Sequence, residues 1–304
     1  MEPRKKNREN VMNYLNKAIL TAAILALAAP AAAQENDSST VYTREGEVSP
    51  GTQAPSRAAL MQVIESGSPE RLATLLEYGE RVECHECVPL LERQLLESDD
   101  PLVREMSAWW LRRRPFGFAA VFRDIRQVLA NDDDPVRRAR AAEALGEFMD
   151  PNGAQYLRSA LDDADARVRE AAVEGLGRIN SAESATGIVE AFDDADPAVR
   201  EAAVGQVLYV NHFRDFDSLM GRLADENVEV RRRAALAIGS LRVADAVPAL
   251  SAMLSGDESR MVRQAAAWAL GRIGSADARA ALNAQQELED SSLVRDAIVV
   301  ALRM

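Results

Sequence analysis

The stretch Asp165–Gly177 reads DARVREAAVEGLG, and the chain keeps returning to it. DPAVREAAVGQVL starts at Asp196, NVEVRRRAALAIG at Asn227 and SRMVRQAAAWALG at Ser259, with looser copies from Asp100, Asp134 and Ser291. A Val-Arg pair marks each copy at 103, 136, 168, 199, 230, 262 and 294, so the unit recurs every 31–33 residues. A fixed period of this size restricts the chain to a solenoid. One unit is too small to bury a core alone, and its stacked neighbours complete it. Within the unit, Val168, Ala172, Leu176 and Ile179 share one face of a helix, and the small Ala171 and Gly175 admit a second backbone.

The helix starts fix the register independently. Asp100, Asp134, Asp165, Asp196, Asn227, Ser259 and Ser291 precede the copies, and all are good N-cap residues. In the second copy the Val-Arg pair comes one residue early relative to its cap. A looser Leu/Val pattern precedes each copy, as in VPLLERQLL from Val88 and VPALSAML from Val247. Pro89 and Pro248 then sit in a first turn, where proline is tolerated. The expectation is an all-α protein: an α-solenoid of about seven helix pairs over 84–304.

Residues 1–33 are of another kind. Arg4, Lys5, Lys6, Arg8 and Lys17 give a basic start, Ala18–Ala29 is apolar apart from Thr21, and Ala31–Ala33 matches a cleavage site. This pattern predicts a secretory signal peptide, and counted from Met12 its proportions are ordinary. The apolar run is short for a spanning helix. The mature protein is therefore expected to be periplasmic or extracellular, with no membrane span after cleavage. Residues 34–55 are rich in Ser, Thr, Glu, Gly and Pro and read as a disordered tether. Two helices over 56–83, the second opened by Ser68-Pro69, fall outside the repeat and are expected to close the open end of the stack. The net charge of −12 argues against a nucleic-acid partner, which needs basic surface.

In register and spacing the units from Cys84 onward resemble HEAT-like repeats of the phycobilisome-lyase type. The resemblance implies first helices outside and second helices lining a concave surface. That family includes lyases that attach bilin pigments and a di-iron deoxyhypusine hydroxylase. The hydroxylase needs several His-Glu pairs, whereas here His85-Glu86 stands alone and His212 is the other histidine. The di-iron chemistry does not carry over, and nothing identifies a bilin site. No cofactor and no metal centre is expected.

Cys84-His85-Glu86-Cys87 is the one concentrated chemical motif. In an exported protein a structural disulfide is the first reading. Redox activity, a metal site lacking its fourth ligand, and free thiols are the alternatives. The recurring Arg104, Arg137, Arg169, Arg200, Arg231, Arg263 and Arg295 are expected to join neighbouring units by pairing with turn carboxylates such as Asp162, Asp163, Asp193 or Asp194. His212, among Tyr209, Phe213 and Phe216, reads as a packed histidine at the most irregular junction.

Counted from the cap as zero, positions 2, 5, 9 and 13 of each second helix lie opposite its core face. In one copy these are Arg167, Glu170, Glu174 and Arg178. Trp109 and Trp268 hold position 9 in their copies, with Arg113 and Arg272 one turn beyond. Tryptophan is a favoured binding anchor. At ~8–10 Å per packed helix the two rings would be some 40–50 Å apart, a span for an extended chain. The alternative is that each ring folds onto a neighbouring helix. The sequence thus points to a non-catalytic scaffold binding a protein or peptide partner. A lyase-like or thiol-redox enzyme using Cys84 and Cys87 is the second reading, and a structural envelope component the third.

Overall fold

The computed structural model describes residues 55–79, 82–114 and 116–304. The leader and nearly all of the tether expected at 34–55 lie outside them. The described residues form sixteen α-helices and no strand. They fall into two units, one ending at Asp124 and the other starting at Ile125.

The first unit contains α1 (Arg57–Ser66), α2 (Pro69–Tyr78), α3 (Cys87–Glu97), α4 (Pro101–Leu111) and the start of α5 (Phe118–Asn131). The Ser56 side chain caps α1 by accepting from the Ala59 N–H, and Gly67 closes it at φ +60°, a left-handed conformation that suits glycine. Then α1 lies against α3 and α2 against α4. Leu60, Ile64, Leu72, Leu91, Leu95 and Trp110 are buried between these helices.

The second unit continues with α6 (Pro135–Phe148) and five further pairs. These are α7 (Ala154–Ser159) and α8 (Ala166–Ile179), then α9 (Ala182–Glu190) and α10 (Pro197–Gln206). After them come α11 (Phe216–Gly221) and α12 (Val228–Leu241), α13 (Val247–Gly256) and α14 (Arg260–Ile273), and α15 (Ala276–Gln286) and α16 (Ser292–Ala301). The second helices stack in succession, α6 on α8, α8 on α10, α10 on α12, α12 on α14 and α14 on α16. Asp134, Asp165, Asp196 and Asn227 cap their helices through the side chain. Ser259 and Ser291 hold the same position without a side-chain cap bond.

One rule governs the stacking of second helices. A Cβ on Gly146 would lie 2.5 Å from the Gly175 Cα, one on Gly239 2.6 Å from the Ala269 Cα, and one on Gly271 2.7 Å from the Ala301 Cβ. Glycine at position 12 thus sits on a small residue at position 10 of the next second helix. In α10 both halves of the rule are broken. Gln206 holds position 10 and is buried over Gly177, while Leu208 holds the glycine position. A leucine there cannot enter so close a contact, so α10 stops at Gln206 and Leu208 turns out to 46% exposure. The chain recovers through Asn211, whose N–H donates to the Asn180 side chain at 2.7 Å. At this junction Phe213 is the packed residue, edge-on to Phe192 and Phe216, and His212 is exposed. The expectation of a packed histidine fails because the unwound turn directs the following residue, not His212, into the core.

Candidate binding face and the ladder that supports it

The second helices are tied together by arginines at position 4. Arg169 donates through Nε and Nη2 to Asp194 at 2.7 and 2.8 Å, and through Nη1 to the Asp163 carbonyl at 2.9 Å. Arg200 does the same with Asp225 and the Asp194 carbonyl, Arg231 with Asp257 and the Asp225 carbonyl, and Arg263 with Glu289 and the Asp257 carbonyl. Each carboxylate also accepts the N–H of the cap residue two places on, as Asp194 does from Asp196 at 2.8 Å. Every rung therefore shares a residue with the next, in a chain of bidentate, charge-assisted bonds.

Two of the expected arginines stand elsewhere. Arg137 pairs with Asp132 at 2.9 Å, five residues before it. The inter-repeat rung to Asp163 is made by Arg138 at 2.7 and 2.8 Å. The cause is the early Val-Arg pair in that copy: counting from the cap Asp134, Arg138 is at position 4. Arg295 is exposed and makes no ion pair among the described residues. In the first unit, Arg104 donates to the Ser98 carbonyl at 2.9 Å. Of the suggested acceptors, Asp163 and Asp194 are rungs, whereas Asp193 pairs with Arg222.

The ladder sets the acid response of the second unit. The Arg138 guanidinium and the cap N–H hold Asp163 below the ordinary carboxylate range. Burial opposes ionisation at Asp194 and Asp225, but Arg169, Arg200 and the cap N–H groups outweigh it and lower both. Arg263 brings Glu289 down to about 2. A depressed carboxylate stabilises the fold fully above its unfolded value, near 4, and the contribution is lost as pH falls through the folded value. The urea midpoint is therefore expected to be level from about pH 7 to 5 and to fall steeply from about 4 towards 2. A midpoint unchanged at about pH 2.5 would contradict this role for the carboxylates.

Away from the core, the second helices present positions 2, 9 and 13. In α8 these are Arg167, Glu174 and Arg178, and Arg178 pairs with Glu147 of α6 at 2.9 Å. In the last three second helices position 9 is apolar throughout, and position 2 is apolar in α14 and α16, whereas α12 carries Glu229 and Ser240 at positions 2 and 13. Leu236 and Trp268 are half-buried there, and Met261, Leu293 and Val300 are 44%, 38% and 54% exposed. The Trp268 ring is not fully presented, as position 9 alone suggests. Its edge lies over Gly239, where a Cβ would come within 2.9 Å of Cζ3, because the helices approach so closely. The Arg272 guanidinium sits 5.7 Å from the ring centre. Trp109, in the first unit, is likewise half-buried, with Arg113 stacked on it at 4.3 Å. Met261 and Leu293 were open to sequence reasoning through position 2, seven residues before position 9 on the same face.

Cys84 and Cys87 form a disulfide at the start of α3, and both residues are fully buried. His85 remains outside, 3.0 Å from Glu83 and against the Phe116 ring. Among the described residues no three His, Cys, Asp or Glu side chains are grouped as around a metal, and no helix is long and apolar enough to cross a membrane.

The family model for HEAT repeats matches residues 122–208 and 216–303, and the gap between the two matches falls on the broken junction after α10. The chain belongs to the HEAT-repeat family. The matched residues take in the pairs from α5–α6 to α15–α16, and the ladder joins their second helices from α6 onward. No curated protein matches the chain in sequence. Among solved structures it is similar to YibA of Escherichia coli, at 16% identity and TM-score 0.53 over 82% of this chain and 93% of that one. Kap121p, solved bound to Pho4p, is similar at 13% identity and TM-score 0.57, over 81% of this chain and 32% of Kap121p. The CpcE–CpcF phycocyanin lyase of Nostoc sp. PCC7120 aligns at 21% identity and TM-score 0.39, over 71% of this chain and 93% of that one. At these identities the likeness is one of fold.

Proposed function

We propose that this HEAT-repeat protein is an exported, non-catalytic scaffold that binds a protein or peptide on the second-helix face of its last three repeats. The observation that carries the proposal is the change at position 9 of that face from Glu143 and Glu174 in α6 and α8 to Leu236, Trp268 and Val300 in α12, α14 and α16, with the exposed Met261 and Leu293 beside them at position 2. Contiguous exposed apolar side chains rimmed by charge mark interaction surfaces, and solenoids offer them in extended form. Kap121p, which shares the fold, was solved with another protein bound. The thiol-redox alternative needs a sulfur open to attack, and burial of both cysteines favours a structural bond instead. Val300→Asp, on an exposed side chain, is expected to abolish recovery of a stoichiometric partner from the native source while leaving the melting temperature unchanged. Unaltered recovery would sink the assignment.

Export is supported by the basic start, the apolar run and the small-residue site in residues 1–33. The buried disulfide agrees with it, since such bonds persist in oxidising compartments. Protein purified from its source is expected to begin near Gln34. A soluble cytoplasmic form that keeps residues 1–33 would overturn export.

A further inference from the structure

We infer that the ligand of this face is an extended segment in the polyproline II conformation, with an apolar side chain at every third position and an acidic residue beside Arg272. The inference rests on the binding face proposed above. Leu236, Trp268 and Val300 occupy one helix position in three consecutive second helices, so one helix-to-helix distance separates each from the next. Packed helices lie ~8–10 Å apart, depending on the side chains at the contact. Here glycine meets alanine at both steps, Gly239 on Ala269 and Gly271 on Ala301, so the same kind of close contact sets the two spacings within that range.

A polyproline II chain has three residues per turn and rises ~3.1 Å per residue, so equivalent side chains recur every ~9 Å along one face. Such a chain meets three repeats in step. A β-strand repeats its face every ~7 Å and falls out of step by the third repeat. An α-helix returns to the same face after seven residues, ~10.5 Å, beyond the range for packed helices. The half-buried Trp268 supplies the aromatic platform on which polyproline II chains dock.

Charge gives the second requirement. The equivalent arginine of α8, Arg178, pairs with Glu147. Arg272 makes no ion pair among the described residues, and its buried Nε, beside the Trp268 ring, lacks an acceptor. A carboxylate on the ligand, adjacent to the side chain resting on Trp268, completes the pair. At the α10 end, the Arg233–Glu201 ion pair closes the patch, with Arg233 Nη1 over Gly205.

The test uses the full chain and three fluorescent peptides. The first is Leu-Pro-Glu-Leu-Pro-Pro-Leu-Pro-Pro. The second has the same composition with its leucines two apart, and the third is an alanine-based helix with leucines seven apart. The first is expected to bind about tenfold tighter than either, and to lose about tenfold against Val300→Asp, as for an anchor contact. Arg272→Gln is expected to cancel the advantage of Glu over Gln in the first peptide while leaving the leucine spacing preference intact. Equal binding of the first two peptides, preference for the helical one, or indifference to Val300→Asp would overturn the inference. If a native partner is lost on Val300→Asp but none of the peptides binds, the ligand conformation is wrong and the face stands. If neither partner nor peptide depends on Val300, the face itself is wrong.

Discussion

Replacing Arg200 with Ala is expected to destabilise the second unit by about 3–5 kcal/mol, the cost of leaving a buried charge without its partner. The Arg200 and Asp225 side chains are only 7% and 4% exposed, and Arg200 also satisfies the carbonyls of Asp194 and Ala195. Its removal strands the Asp225 carboxylate between two helices. Arg167 is the matched comparison, on the same type of helix but 61% exposed and paired with its own cap residue Asp165. Arg167→Ala is expected to stay within about 0.5 kcal/mol, as surface changes do, because Asp165 still accepts the backbone N–H of residue 167. Urea unfolding of both variants decides the matter, and equal losses would mean the ladder contributes nothing specific. In a double-mutant cycle, Asp225→Ala is expected to cost much less in the Arg200→Ala background than alone.

The second large effect is expected at Gly146. Its absent Cβ would fall 2.5 Å from the Gly175 Cα, and further contacts at 3.4 Å are also backbone, so no flexible side chain can yield. Gly146→Val must push α6 away from α8. Overpacking of this kind costs about 1–3 kcal/mol and occasionally more, and with every contact on backbone the expected loss is about 3 kcal/mol. Gly256 is the control, at the end of α13 with nothing within 4 Å of a Cβ. Gly256→Ala is expected to be neutral or to stabilise by up to about 1 kcal/mol through helix propensity. A neutral Gly146→Val would show that the helices are not held at the close approach.

Most of the architecture was legible because a repeat writes the same physical instruction many times. Period, core face and caps agree, and the seven caps open the second helices as read. In the turns the reading was partial, naming Asp163 and Asp194 beside Asp162 and Asp193 without choosing between them. The acceptor of each rung stands two residues before the cap, at Asp163, Asp194, Asp225, Asp257 and Glu289, a pattern visible once positions are counted from the cap. Counting from the Val-Arg pair instead selected Arg137 over Arg138. The proposed binding face was half legible. Position 9 named Trp268, but burial of its edge depends on the neighbour's glycine, which periodicity within one helix does not express. The break after Gln206 became readable only when Gln206 and Leu208 were seen to occupy the two small-residue positions of the stacking rule.

The most direct test of the proposed scaffold role is site-specific photocrosslinking in the native source. One photoreactive residue would stand at Val300, on the apolar face, and another at the exposed Ala249 on the first helix of the pair that carries Trp268. The account expects a single discrete adduct from position 300, absent from position 249 and lost when Met261→Asp is added. Adducts of equal yield at both positions, or an adduct from position 249 alone, would contradict it.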